Sequence, residues 1–203
     1  MGLRLHLGCG ARILDGWINA DINTIAERNA KLGREEEVAR EIDLRHDLLK
    51  PLPYGDGTVD LIYNEHLTEH FSFVDGRRML RDWLRVLRSG GVLRLATPSI
   101  EGAIELYSDP GCFAELNAAM ARNIQTRGVF LNQLFRSFGH RFVHDEETLT
   151  RSLNEIGYVD ITTREVGRSS VGALRDLETR IYGRNSLLTS LCIETSKPPA
   201  VET

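Results

Sequence analysis

Apolar and polar residues alternate from Leu3 to Leu7, the two-residue period of a half-buried strand. Further strand-like runs follow at Trp17–Ile22, Ile42–His46, Val59–Tyr63 and Val92–Thr97, the last one closed by Pro98. Between residues 75 and 87 the period changes to that of a helix. Met79, Leu80, Trp83, Leu84 and Leu87 form its stripe, with Asp75 as cap and Gly90-Gly91 as stop. Residues 99–143 are helical with weaker periodicity. Asp145-Glu146-Glu147 then opens a helix reaching about Asn154 and ending at Gly157. Tyr158–Val166 and Leu187–Thr195 read as two closing strands, with a helix over Gly172–Tyr182 between them carrying Leu174, Leu177 and Ile181 on one side. Strands alternating with helical stripes predict an α/β fold, a doubly wound, seven-stranded and mostly parallel sheet with helices on both faces. One interval strains that reading. Residues 8–16 are fewer than the ten to twelve that a parallel crossover usually takes, so only about one helical turn fits at Ala11–Leu14.

Composition adds bounds. The 203 residues suit one domain, with 99–143 inserted as a helical lid. Hydrophobic residues at 41% and charged residues at 27% are those of a globular protein, and the net charge of −4 argues against nucleic-acid binding. Arg77, Arg78, Arg81, Arg85 and Arg88 fall mostly off the apolar stripe and alternate with Asp75 and Asp82, as on a solvated face. Residues 23–40, including Glu35-Glu36-Glu37, read as a solvated loop or helix. Cys9, Cys112 and Cys192 are odd in number and widely spaced, which predicts neither disulfides nor a zinc knuckle and favours a reducing, cytoplasmic setting. No apolar run approaches the ~20 residues of a membrane span, and no secretory leader pattern is present. Lys197-Pro198-Pro199 reads as a frayed end.

The chemistry begins where the first strand stops. Gly8-Cys9-Gly10 permits a turn with positive φ and lets a ligand lie against bare main chain. The dinucleotide motif fails, because Ile13 stands where its third glycine belongs, and no phosphate-cradling GxxxxGK[ST] occurs. Asp21 at the tip of the second strand is suited to accept ribose hydroxyls, sooner after the glycines than the ~20 residues of dinucleotide enzymes.

From Leu5 to Asp21 the chain resembles class I S-adenosylmethionine-dependent methyltransferases whose start reads LxLGCGxxxxxGWxNxD. Val59–Tyr63 with its preceding turn resembles the family's DGSFDLIY, and RVLRSGGVLRLATP, residues 85–98, resembles its RVLKPGGxLRIxxP. The resemblance implies a Rossmann-like sheet whose last strand is antiparallel, with S-adenosyl-L-methionine as cofactor. It places Gly8, Cys9 and Gly10 near the methionine carboxylate and ribose, and Asp21 with Ile22 at the ribose. Asp47 and Leu48 would lie beside adenine, and Asn64, Glu65 and His66 beside the methionine part. The insertion after the fifth strand would shape the acceptor pocket.

His66-x-x-Glu69-His70 also matches the HxxEH pattern of a zinc hydrolase, which needs a long helix and a third ligand. A strand ends at Tyr63 and about two turns fit before Phe71, so no metal is expected and His70 is read as a packing residue. A binding protein without catalysis is the other alternative. Methyl transfer to a hydroxyl needs a proton acceptor, and histidine suits it near neutral pH. His140, where the lid should close, is the expected general base, with His66 orienting the acceptor or cofactor. The expected acceptor is a sugar or small-metabolite hydroxyl; the sequence sets no oligomeric state.

Overall fold

The computed structural model describes residues 2–34, 38, 40–119, 123–179 and 190–200. Its elements are β1 Leu3–Leu7, β2 Ile18–Asp21, α1 Ile25–Lys31, β3 Leu44–Arg45, β4 Val59–Glu65, α2 Phe73–Val86, β5 Leu87–Thr97, α3 Ile100–Ser108, α4 Pro110–Ala119, α5 Arg127–Arg136, α6 Glu146–Ile156, β6 Val159–Arg164 and β7 Leu191–Ser196. The strands form one seven-stranded sheet in the order β3-β2-β1-β4-β5-β7-β6. Strands β1 to β5 pair in parallel, and β7 runs antiparallel to both β5 and β6. This is the fold that the alternating pattern predicts.

Strand alternation sorts the side chains into two unlike faces. Leu5, Leu7, Ile62, Leu93, Leu95 and Ile193 point to one side and meet Met79, Leu80 and Trp83 of α2 and Leu149 and Leu153 of α6. Tyr158 joins them, its hydroxyl donating to the Leu80 carbonyl at 2.9 Å. The opposite face is more polar. Trp17, Tyr63 and Leu174 form a small cluster there, and beside it the fully buried Arg94 meets Glu178 at 2.6 Å and Glu194 at 2.8 Å. Among the described residues this face is covered by the 11–17 loop and the 165–179 segment.

Several boundaries differ from the sequence reading. No helical turn forms at Ala11–Leu14; the crossover is a chain of turns held by the buried Asn19. Asn19 Oδ1 accepts from Leu14 N–H at 2.8 Å while its Nδ2 donates to the Leu14 and Trp17 carbonyls. β3 is two residues long rather than five; beside it Asp43 holds Asn19 both through its N–H, which donates to the Asn19 carbonyl at 2.9 Å, and through its carboxylate. α2 starts at Phe73, capped by Ser72 rather than Asp75. It ends at Val86, since Leu87 already pairs with Val59, and Gly90-Gly91 lies within β5. The helix expected over 172–182 is a single 3-10 turn at Gly172–Leu174, and its last three positions lie outside the described residues. Glu35-Glu36-Glu37 and the first three positions of the expected last strand lie outside them too. α6 keeps its expected ends, Asp145 capping and Gly157 closing it.

Candidate active site

The carboxyl tips of β1, β2, β4 and β5 open into one cavity of about 1250 Å³, roofed by Ala103 of α3, by α5 and by Ile124, Phe138 and His140 in the loops on either side of α5. This is where ligands bind in open parallel sheets. At its floor Gly8 and Gly10 have φ of +70° and +59°. A Cβ on Gly8 would stand 2.8–3.0 Å from the Leu67 side chain, so an added side chain there would meet a strained torsion and would also displace the Leu67 tip. The amides of Gly8 and Cys9 both donate to the Ala20 carbonyl. Asp21 ties the turn from the other side, Oδ2 accepting from Gly10 N–H at 2.9 Å and Oδ1 from Asn23 N–H at 3.1 Å. Each of those oxygens keeps acceptor capacity on the cavity side. Ile22 is 55% exposed at the rim, with Leu32 beside it.

His6, read only as a strand residue, belongs to this floor. Its Nδ1 lies 3.1 Å from Asn19 Oδ1. An amide oxygen only accepts, so Nδ1 carries the proton and Nε2 the lone pair. Burial lowers this imidazole to about 4, which leaves it neutral. The same burial, with Asp21 nearby, pushes the Cys9 thiol up to about 12, so it is not a thiolate nucleophile.

One wall is a strap. Thr179 holds Glu65 with its N–H and its hydroxyl, each 2.8 Å from a different carboxylate oxygen. Arg12 approaches Glu65 to 3.6 Å and donates to the Leu177 carbonyl.

The opposite wall is built on Glu69, which is wholly buried. Its main-chain carbonyl accepts from the Arg141 and Phe142 amides, which ties the end of the 99–143 segment to the turn after β4. In its side chain Oε2 accepts from Thr97 Oγ1 at 3.2 Å. Three imidazoles converge on Oε1: His66 Nδ1 at 3.2 Å, His70 Nε2 at 4.0 Å and His140 Nε2 at 4.0 Å. Burial by itself would raise the Glu69 carboxyl, but contact with His66 and the charge of His66 and His70 bring it below the usual carboxylate range. It is therefore ionised. His140 Nδ1 lies 2.6 Å from the Leu134 carbonyl, so that nitrogen donates and Nε2 presents its lone pair. Burial lowers the His140 imidazole against the opposing pull of the Leu134 carbonyl and Glu69.

Of the residues singled out in the sequence, Gly8, Cys9, Gly10, Asp21, Ile22, Glu65, His66 and His140 all line this cavity. Three others do not. Asp47 caps a turn through Leu49 N–H, and Leu48 sits in the α2-side core, because the chain leaves the sheet directly after the short β3. Asn64 is fully buried between strands, its Nδ2 donating to the Leu7 carbonyl at 2.9 Å. The sequence reading missed His6 and Arg28, and it gave His70 and Glu69 no part in the site. His66 has φ of +51° and turns its Nε2 to Ser190 Oγ at 3.2 Å. The two histidines of the HxxEH pattern therefore do not share a ligand position as they would on one helix.

Comparison with known proteins gives a consistent result. Residues 5–95 match a family model described as a methyltransferase domain. A probable S-adenosylmethionine-dependent methyltransferase of Mycolicibacterium smegmatis is 31% identical over 127 residues, 59% of this chain and 45% of that protein. The chain thus spans less than half the length of this curated relative. Among solved structures, an Archaeoglobus fulgidus SAM-dependent methyltransferase superposes with a TM-score of 0.54 at 16% identity, over 97% of this chain and 86% of that one. A possible histamine N-methyltransferase from Thermotoga maritima gives 0.53 at 18% identity, over 97% and 83%. These structural likenesses establish the fold. Among the described residues no helix is long and apolar enough to cross a membrane.

Proposed function

We propose, on the premise that residues 5–95 belong to the methyltransferase-domain family and that the fold is that of the class I S-adenosylmethionine-dependent methyltransferases, that this chain methylates a hydroxyl on a sugar or small metabolite. When bound, S-adenosylmethionine supplies an electrophilic methyl group. The residues present fit it. The Gly8–Gly10 turn presents bare main chain to the cavity, Asp21 offers acceptors for vicinal hydroxyls, and the exposed Ile22 offers an apolar surface where a base would lie. Glu65 and Arg12 give the strap side one charge of each sign for an amino-acid end. The cavity has space for an acceptor besides.

The observation that carries the reading is the opening of the Gly8–Gly10 turn and the His140 cluster into the same cavity. His140 Nε2 receives the acceptor's proton, and the Glu69 carboxylate steadies the imidazolium that forms. His66, held by Ser190 and Glu69, orients the partners. The absence of disulfides among Cys9, Cys112 and Cys192 supports a cytoplasmic setting, and the acidic balance supports an acceptor other than nucleic acid. Titration calorimetry with S-adenosylmethionine and its demethylated product tests the cofactor half. No measurable binding of either at millimolar concentration would overturn it. With an acceptor in hand, His140→Ala is expected to lower turnover by ~100-fold or more at nearly unchanged cofactor affinity.

A further inference from the structure

A carboxylate that is wholly buried needs a counter-charge, and among the described residues the ion-pair partners of Glu69 are all imidazoles. Among the described residues its buried Oε1 makes no hydrogen bond, although His66 Nδ1 stands 3.2 Å away. One donor atom each from Glu69, His70 and His140 lies within 4.8 Å of the others. All three residues line the cavity. From this arrangement we propose that Glu69, His70 and His140 form a site for a divalent transition-metal ion of the zinc class, whose open position faces the acceptor.

The donor set is two imidazoles and one carboxylate, which suits such an ion and leaves a coordination position for substrate. Bonds of about 2.0–2.2 Å place ligand atoms roughly 3.3–3.5 Å apart around a tetrahedral ion. The 4.0 Å separations of Glu69 Oε1 from His70 Nε2 and His140 Nε2 therefore need to close by about half an ångström, and the His70–His140 pair, within 4.8 Å, by up to roughly 1.5 Å. Glu69 is fixed by Thr97 and by the amides of Arg141 and Phe142, whereas His70 is partly exposed, so the adjustment falls on His70 and His140. His140 already has the form a ligand needs. Its Nδ1–H is held by the Leu134 carbonyl, the outer partner that fixes a ligating imidazole, and its Nε2 is left as the donor. His66 is outside the set, because its nitrogens face Glu69 and Ser190.

The site deepens the methyltransferase reading and rests on it for its purpose. Without metal, Nε2 of His140 takes the acceptor's proton. With metal, that nitrogen is a ligand, and a hydroxyl on the open position becomes acidic enough to release its proton to water in the cavity. In either case the hydroxyl oxygen bonds to the methyl carbon while the carbon–sulfur bond breaks, its electron pair staying on sulfur.

Metal uptake can be read without turnover. The full chain is stripped with chelator, dialysed against Zn²⁺ and assayed for metal, with Co²⁺ as an absorbing probe in parallel. Expected are about one equivalent of zinc, a visible cobalt spectrum with imidazole ligation, and at least ten-fold weaker uptake in His70→Ala and His140→Ala. His46→Ala, on a surface turn, should bind as the parent does. His70 is partly exposed, so that variant should remain folded, which circular dichroism checks. Parent uptake well below one equivalent, or equal uptake by the parent and both site variants, overturns the proposal. Calorimetry with S-adenosylmethionine on the same samples separates the two ideas. Cofactor binding without metal leaves the methyltransferase reading standing alone, and metal uptake without cofactor binding does the reverse.

Discussion

Thr179 chelates Glu65: its N–H and hydroxyl each lie 2.8 Å from a different oxygen of the one carboxylate. The contact joins positions 114 apart in sequence and fixes the strap to the tip of β4. Thr179→Val keeps the volume and removes the hydroxyl donor. A hydrogen bond to a charged group is worth about 1.5–3 kcal/mol, less at an exposed site such as this. Cofactor affinity measured by calorimetry should fall several-fold. Unchanged affinity would mean that Glu65 needs no such anchoring.

Asp21 serves the turn and the ligand together, through Gly10 N–H and its remaining acceptors. Asp21→Ala should weaken S-adenosylmethionine binding by about ten-fold or more, since an unpaired ligand hydroxyl costs ~1–3 kcal/mol. Affinity within a factor of two of the parent would remove Asp21 from the cofactor site.

Gly8→Ala meets two obstacles, a φ of +70° and a Cβ 2.8–3.0 Å from Leu67. The left-handed conformation alone costs about 1–2 kcal/mol in a non-glycine residue. Urea unfolding should register that loss. Leu67 packs on the core, so Leu67→Ala has a cost of its own, and the double change should lose less than the sum of the two single changes, because the collision but not the torsion is relieved.

Arg94 is fully buried between Glu178 and Glu194, so Arg94→Leu leaves two carboxylates facing each other in a dry space. Breaking a buried pair on one side costs about 3–5 kcal/mol. Chemical denaturation should show a loss of that order, and Arg94→Leu combined with Glu178→Leu should lose less.

Stability should also fall on mild acidification. Burial lowers His6 and His144 to about 4 from an ordinary 6.5, and the buried Nδ1 of His144 has no hydrogen-bond partner among the described residues. Between those values the unfolded chain binds protons that the folded chain refuses. The contribution of these groups is therefore complete above pH 6.5 and is lost as pH falls toward 4, by at most roughly 3 kcal/mol each. His144→Leu should flatten that slope in denaturation curves at pH 7, 5.5 and 4.5. An unaltered slope would show that His144 contributes nothing to it.

What the sequence made legible was local. The alternation at Leu3–Leu7, the stripe from Met79 to Trp83 and the Asp145 and Gly157 caps are each set by neighbours within a few positions, and the structure has them. Trp17 and Asn19 stood out as motif residues, and their work is internal, packing on Tyr63 and holding the 11–17 loop. What escaped depended on distant partners. Asp47 and Leu48 lie off the cavity lining because the chain leaves the sheet directly after the short β3. Glu178 looks like a solvent residue on a helix until Arg94 is seen beside it. His140 reaches Glu69 only where the chain returns after α5, which no spacing rule over 70 positions reports.

The Arg94 knot also sets an order of assembly. Its carboxylate partners lie 84 and 100 positions downstream. A nascent chain that has left the ribosome only through β5 carries this guanidinium unneutralised, and that side of the sheet stays hydrated until Glu194 arrives in the final strand. The face that α2 covers is under no such wait. In a refolding experiment, amide protection over β1 and β4 should therefore precede the ability to take up a nucleoside, because the strap cannot seat on a face that still holds water.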